Sequence, residues 1–170
     1  YATSKDGIKW DKPNLGLVDY RGSMDNNIIM FDVHGLDIVK DMTEQDVGKS
    51  YKMIGAVGGI GPQRVWYSAD GIKWSEPEIY EQIGGRSDTR NNVTWIPERK
   101  EWMLISRVGF TPRDVGRSAS KNFRDWSPIE LVLKPESDNP QFHDMPSFRY
   151  GDVYLGLIGV FDVEADRQWV

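Results

Sequence analysis

The heptapeptide Ser68-Ala69-Asp70-Gly71-Ile72-Lys73-Trp74 decides the fold, because an earlier stretch, Ser4-Lys5-Asp6-Gly7-Ile8-Lys9-Trp10, repeats its pattern. Asp-Gly between extended segments is a strong hairpin signal, since glycine adopts a positive φ without steric cost. The Asp carboxylate can accept hydrogen bonds from the backbone N–H groups that follow it. The sequence therefore predicts two equivalent turns held by Asp6 and Asp70, with a ligand or calcium role for these carboxylates as the alternative.

A looser third copy lies within residues 118–126. We interpret its turn as two residues longer, with Asn122 standing four positions before Trp126, as each Asp stands before its Trp. The tryptophan of each copy falls on the returning strand, where its apolar face can cover the hairpin. Trp10, Trp74 and Trp126 recur at comparable intervals along the chain. Repetition at a period of tens of residues indicates a repeat architecture.

The composition fits a β-rich domain. A chain of 170 residues is long enough for one hydrophobic core, and its 17 Gly and 9 Pro supply the many turns that β folds need. The net charge of −5, with the signs interspersed, argues against nucleic acid and against an anionic membrane surface as partners. No apolar run approaches a membrane span. Without Cys, and with only two His, the sequence predicts no metal site and no cofactor.

The pattern of strands and turns divides the chain into units. Residues 1–18 read as the end of a blade, 19–82 and 83–135 as two units, and 136–170 as the start of another. Four strands in a unit of this size are typical of a β-propeller blade. We predict an all-β chain, a single partial β-propeller domain of about three blades. Strand patterns reach both ends of the sequence, so we expect the remaining blades on the same chain or on a partner chain.

Within the second unit, the apolar run Met24–Phe31 predicts the first strand and Tyr51–Val57 the second, with a polar surface loop over residues 32–50. Val93–Ile96 predicts the first strand of the third unit, because it is rich in β-forming residues. In the last unit, two strand patterns flank a hairpin turn at residues 151–152.

One acidic residue stands shortly before the predicted first strand of each unit. These residues are Asp25, Asp88 and Asp144, separated by 63 and 56 positions. Because the innermost strands of a propeller converge on its axis, equivalent positions in neighbouring blades come close in space. We therefore expect the three carboxyl groups to meet in one pocket. The alternative is that they cap turns or strands.

These residues and motifs carry a family resemblance. The Ser-x-Asp-Gly-x-x-Trp turns resemble the Asp-box turns of sialidases, but lack the usual extra residue between Asp and Gly. The chain is more similar to the five-bladed β-propeller glycosidases, the clan of invertases, arabinanases and xylosidases (glycoside hydrolase families 32 and 43 and uncharacterised relatives). Residues 88–95, 100–107 and 117–126 look like one blade of these relatives, and 51–53 resembles the second strand of the blade before.

The resemblance implies a five-bladed type of propeller and a set of catalytic acids. In that clan one Asp is the nucleophile or base, a second Asp orients the sugar and stabilises the transition state, and a Glu is the acid. Asp88 matches the second Asp, although Arg86 stands two positions before it rather than directly before it. Asp144 falls at the place of the acid, with Asp in place of Glu. Asp25 belongs to the preceding blade. The alternative to Asp25 is that the first Asp of the clan lies upstream of residue 1.

Several polar residues near these acids are candidates for substrate binding. Arg86, Arg90 and Arg107 could bind sugar hydroxyls or a carboxylate with their fixed fork of donors, or form salt bridges to a neighbouring blade. Asn92 could hydrogen-bond a sugar or cap the turn. His143, beside the predicted acid, could serve as a proton shuttle or as a sugar ligand.

We therefore expect a glycoside hydrolase that acts on oligo- or polysaccharides by carboxylate acid/base chemistry, with a carbohydrate substrate as its partner. This chemistry needs two carboxyl groups across the scissile bond, so Asp88 and Asp144 are expected within about 10 Å of each other. The alternatives are a non-catalytic propeller that binds glycans or a protein, and a glycoside phosphorylase, whose phosphate the arginines would hold. The absence of Cys does not decide the compartment, and a secreted or periplasmic location is favoured over a cytoplasmic one.

Overall fold

A computed structural model describes residues 1–59, 61–83, 89–109 and 113–169 of the chain. Within these ranges the only helical segments are two 3-10 turns, Val47–Lys49 and Glu81–Ile83. No helix in this described part is long and apolar enough to cross a membrane. The predicted all-β class is confirmed. The number of blades and the unit boundaries remain predictions.

Two four-stranded antiparallel sheets contain most of the chain up to Leu133, and each has its strands in chain order. The first sheet consists of β1 (Val33–Lys40), β2 (Tyr51–Val57), β3 (Gln63–Ser68) and β4 (Glu78–Tyr80). The second consists of β5 (Asn92–Ile96), β6 (Glu101–Val108), β7 (Asp114–Ser120) and β8 (Glu130–Leu133). Their shared core is formed by the following buried residues: Ile54, Val65, Tyr67, Tyr80, Ile83, Val93, Trp102, Leu104, Phe123 and Trp126.

After Leu133 the chain forms one long hairpin and a further strand. Its strands are β9 (Gln141–Asp144), β10 (Ser147–Tyr150), β11 (Val153–Gly156), β12 (Gly159–Asp162) and β13 (Arg167–Trp169). β10 pairs with β11 and β9 with β12, and the N–H of Leu157 donates to Pro146 O at 3.0 Å between the two pairs. The two pairs therefore continue one another as a single interrupted ladder, to which β13 adds beyond β12. We call β9 to β13 the third sheet.

The prediction for the first strand is wrong. Residues 24–31 are not a strand, and β1 lies instead at Val33–Lys40, within the predicted loop. The polar groups of the upstream segment bond to the segment 1–18: Leu15 N donates to Asn26 O at 2.9 Å, and the Tyr1 amino group donates to Asn27 O at 2.8 Å. Residues 33–40 form the first strand because they pair with β2, even though they include polar residues.

The first two Asp-Gly turns have the predicted geometry. Asp70 Oδ1 accepts hydrogen bonds from the N–H groups of Ile72 and Lys73 at 2.8 and 2.9 Å. Asp6 Oδ1 accepts the equivalent pair at 2.8 and 2.9 Å. In both turns these backbone donors lower the pKa of the Asp carboxyl, because they favour its charged form. The turn-holding role of Asp6 and Asp70 is confirmed.

The third turn has the same length as the other two, so the prediction of a longer turn is wrong. Asn122 Oδ1 accepts from the N–H groups of Arg124 and Asp125 at 2.9 and 2.8 Å, and Ser120 Oγ contacts the same oxygen at 3.2 Å. The motif is therefore Ser120 to Trp126, with Phe123 at the position that glycine occupies in the other copies. An aromatic residue in place of the glycine hid this alignment in the sequence.

Phe123 adopts a backbone conformation that phenylalanine rarely takes. Its φ is +62°, close to the +75° of Gly71 at the equivalent position. The side chain is completely buried, with its ring 5.3 Å from that of Trp102 and 5.2 Å from that of Trp126. The Lys52 ammonium of the first sheet lies 5.7 Å from the Phe123 ring. The turn thus places Phe123 between the first and second sheets, where its burial offsets the cost of the strained backbone.

Candidate functional site

Hydrogen bonds join one edge strand from each of the three sheets, namely β1, β5 and β10. β1 packs beside β5, and β5 beside β10. Asp37 Oδ2 accepts from Val93 N at 2.6 Å and from Asn92 Nδ2 at 3.3 Å. Asn92 Oδ1 in turn accepts from Ser147 N at 2.8 Å and from Ser147 Oγ at 2.7 Å. An edge strand has a ladder partner on only one side, so these side chains supply partners for its outer edge. We call Asp37, Asn92 and Ser147 the strand junction.

The electrostatic environment of Asp37 favours its neutral form. The side chain is partly buried, and this burial raises the pKa of Asp37. Hydrogen bonds from Val93 and Ile38, and the positive charge of Arg90, act in the opposite direction but do not cancel it. Asp37 is therefore more readily protonated than a free aspartate.

We expect the D37N variant to gain stability relative to the wild type as the pH rises above 3.8, the ordinary value for an aspartate. A folded-state pKa above the unfolded one means that stability is fully present at low pH and falls as the pH passes through the folded pKa. Asparagine stays neutral, so only the wild type loses this contribution. Urea unfolding of both proteins from about pH 2 to about pH 7 measures the difference, because this range extends to both sides of the ordinary aspartate pKa.

The matched control is D70N, because the pKa of Asp70 is lowered rather than raised. For a lowered pKa the stability is present at high pH and is lost on acidification. D70N should therefore lose stability relative to the wild type as the pH rises, which is the opposite slope to D37N. Parallel slopes for the two variants would contradict the assignment for Asp37.

Residues just before β5 are fixed against β1. Asn91 is fully buried, and both its backbone N–H and its Nδ2 donate to Gly35 O at 2.9 Å. Ser106 Oγ donates to Asn91 Oδ1 at 2.7 Å, so the amide oxygen is also satisfied. A Cβ at Gly35 would lie 1.8 Å from Thr89 O, and Gly35 has a φ of +58°. Only glycine permits this close approach of the two sheets.

The structure places the predicted site residues of the first two sheets in different surroundings. Asp88 and Arg86 lie outside the described residues. Arg90 is exposed, and its charge acts on Asp37, whereas Arg107 is buried on β6. Asn92 belongs to the strand junction.

Asp25 is exposed and lies eight positions before β1. Its N–H donates to Ser23 Oγ at 3.1 Å. Asp32 directly precedes β1, and Asp37 lies within it. The first sheet thus offers three aspartates before or within its first strand, of which only Asp25 was named from the sequence.

His143 and Asp144 lie together beside a cavity of about 260 Å³ in the third sheet. The Asp144 side chain is 25% exposed, and its Oδ2 lies 3.9 Å from His143 Nδ1. The ring centroids of His143 and Phe161 are 6.4 Å apart. Gly159 of β12, together with Gln168 and Trp169 of β13, completes the lining. A carboxyl group here faces a space that a small ligand can enter.

Sequence reasoning missed Asp37, Ser147, Gly159 and Gln168. Asp37 was missed because the sequence predicts a loop over residues 32–50, although Val33, Ile38 and Val39 are β-branched residues of the kind that strands favour. Ser147 and Gln168 carry no motif: Ser147 bonds to Asn92, 55 positions away, and the pairing of β13 with β12 places Gln168. In the described part of the chain, no group of three or more His, Asp or Glu side chains is placed to hold a metal ion.

Comparison with known proteins relates the chain to glycosidases by fold alone. No family model matches it, and no curated protein matches it. Among solved structures it is similar to a thermostable family-43 glycoside hydrolase, with a TM-score of 0.55 and 15% identity over 80% of this chain. The chain spans 43% of the length of that structure. This similarity supports a propeller-like, glycoside hydrolase-like all-β fold.

Proposed function

We propose that the protein cleaves glycosidic bonds with carboxyl groups contributed by neighbouring sheets. The observation that carries the proposal is the partly exposed Asp144 carboxyl, which lines a cavity of about 260 Å³ beside the His143 ring. A glycosidase needs a carboxyl group that can reach the leaving oxygen or the sugar ring. The fold similarity to a family-43 glycoside hydrolase supports this reading of the cavity.

The proposed partner of Asp144 is Asp88. The strand junction supports the pairing, because Ser147 N donates to Asn92 Oδ1 at 2.8 Å and so ties the two strands together. Asp88 precedes Asn92 by four residues, and Asp144 precedes Ser147 by three. At roughly 3.3–3.6 Å per residue, the backbone of Asp144 stays within about 11 Å of this hydrogen bond. In the proposal Asp144 is the acid and Asp88 is the ionised transition-state stabiliser.

The other residues have supporting roles in the proposal. His143 and Arg90 bind sugar hydroxyls, and Arg86 and Arg107 provide positive charge near Asp88. Asn92 acts through the strand junction and holds β5 and β10 in register. The third carboxyl group comes from the first sheet, where the candidates are the following residues: Asp25, Asp32 and Asp37.

The proposal includes further blades, on the same chain or on a partner chain. The third sheet exposes Phe148, Tyr150 and Leu155 by 43, 69 and 41%. Exposed apolar side chains clustered on one hairpin are typical of a surface that packs against another element. A further β-sheet of the propeller is the proposed occupant.

A substrate screen of the natural full-length protein tests the proposed function. Aryl glycosides and plant or algal oligosaccharides are incubated with and without inorganic phosphate, and the released sugars are measured. Hydrolysis without phosphate is expected. A strict requirement for phosphate would instead indicate a glycoside phosphorylase, and glycan binding without any turnover would indicate a non-catalytic propeller. Either of these results would overturn the proposal.

A further inference from the structure

The Asp144 carboxyl group lies against a glycine, Gly159, on the neighbouring strand. In the third sheet β12 lies between β9 and β13, and Gly159 pairs directly with Asp144. Gly159 itself is buried. A Cβ at this position would lie only 2.4 Å from Asp144 Oδ1. The carboxylate therefore occupies the space that any other side chain at position 159 would need.

Space, rather than backbone conformation, is the reason for glycine at position 159. Gly159 is not among the residues with positive φ, so alanine could adopt its backbone conformation. Gly151, in the turn of the same hairpin, shows the contrasting case, with a φ of +59° and open space around its α-carbon. A methyl group at position 159 would act on the Asp144 carboxylate and leave the backbone unstrained.

We infer that Gly159 is a positioning residue for Asp144, and that the cavity above it takes a single sugar ring at the end of a glycan. This inference rests on the proposed function. The volume of about 260 Å³ is smaller than the roughly 300–1,000 Å³ of pockets for drug-sized ligands. The Gln168 amide and the His143 imidazole offer donors and acceptors suited to a polyhydroxylated ring.

The test is G159A in the full-length protein. The added methyl group displaces the end of a flexible side chain, so the protein folds while the Asp144 carboxylate moves. A displacement of about 1 Å in a catalytic group can lower turnover on the order of 10²-fold. We expect a loss of this size in kcat, with a smaller change in KM, for whichever glycoside the wild type cleaves.

The matched control is G156A in the same hairpin. A Cβ at Gly156 would lie 2.9 Å from Met145 Sδ, so this variant also displaces a flexible side chain, but not a carboxylate. Its turnover should remain within about twofold of the wild type, because no catalytic group moves. Wild-type turnover in G159A, or the same loss of turnover in G159A and G156A, would overturn the inference while leaving the proposed function intact.

Sugar binding separates this inference from the proposed function. Ligand-observed NMR with arabinose, xylose and fructose measures binding to the wild type and to both variants. If the wild type cleaves no glycoside, weaker sugar binding by G159A than by G156A still supports the single-ring site, although the proposed function has failed. If the wild type neither cleaves a glycoside nor binds one of these sugars, the inference fails with it.

Discussion

Replacing Phe123 with alanine is expected to destabilise the protein by about 3–5 kcal/mol, the usual cost of removing a buried phenylalanine ring. The ring is completely buried and packs edge-on against Trp102 and Trp126 at 5.3 and 5.2 Å. It also lies beneath the Lys52 ammonium of the first sheet. The cavity left by alanine would therefore open between the first and second sheets. Urea unfolding of the variant and the wild type measures the loss.

The F123G variant is expected to be more stable than F123A, which is the reverse of the usual order. Phe123 has a φ of +62°, in the left-handed region where alanine is strained and glycine is not. Both variants lose the same ring, so their difference reports the backbone strain, about 1 kcal/mol. F148A is the control, because Phe148 is 43% exposed and its truncation leaves no buried cavity. F123A as stable as F148A, or more stable than F123G, would contradict the role of Phe123.

The sequence predicted the turns well because their determinants are local. Asp70 and the two N–H groups that it binds lie within four residues, so the motif itself contains every partner. The third turn was read as too long because Phe123 takes the place of glycine. The positive φ of Phe123 is maintained by burial against the distant Trp102, and the residues around Phe123 in the sequence do not indicate this contact.

The position of the first strand was predicted wrongly because an apolar run of residues was assumed to be a buried strand. Residues 24–31 are more apolar than β1, but their polar groups bond to the segment 1–18. β1 contains Asp37, a residue type typical of loops. Its carboxylate is accommodated in a strand because Val93 N of β5 donates a hydrogen bond to it. A polar side chain on a first strand bonds to the edge of the next sheet, and no single-strand pattern shows this.

The candidate site was predictable only in part, for the same reason. Asp144 and His143 were found because an acid recurs at one phase of the repeat. Gly159 was not found, since its importance arises from its pairing with Asp144 across the hairpin. The strand junction likewise depends on contacts between residues 55 or more positions apart. Sequence repeats locate the acids, and strand register determines which residues surround them.

The D144N variant is expected to lower the turnover of a natural oligosaccharide by about 10²–10⁴-fold, the typical contribution of a general acid. Asparagine has the size of aspartate but cannot supply a proton to the leaving oxygen. Asp144 is in a suitable place for this role because its carboxyl is partly exposed to the cavity above Gly159. Turnover is measured in the full-length protein, with thermal unfolding to show that the variant remains folded.

The choice of leaving group distinguishes the acid from the other carboxylate. A dinitrophenyl glycoside departs as a stable phenolate and needs little protonation, so D144N should cleave it with a much smaller loss. D88N should lose on the order of 10²-fold on both substrates, because an electrostatic stabiliser acts whatever the leaving group. Equal losses for D144N on both substrates would reject Asp144 as the acid. Full activity of D88N and D144N would reject the carboxyl pair altogether.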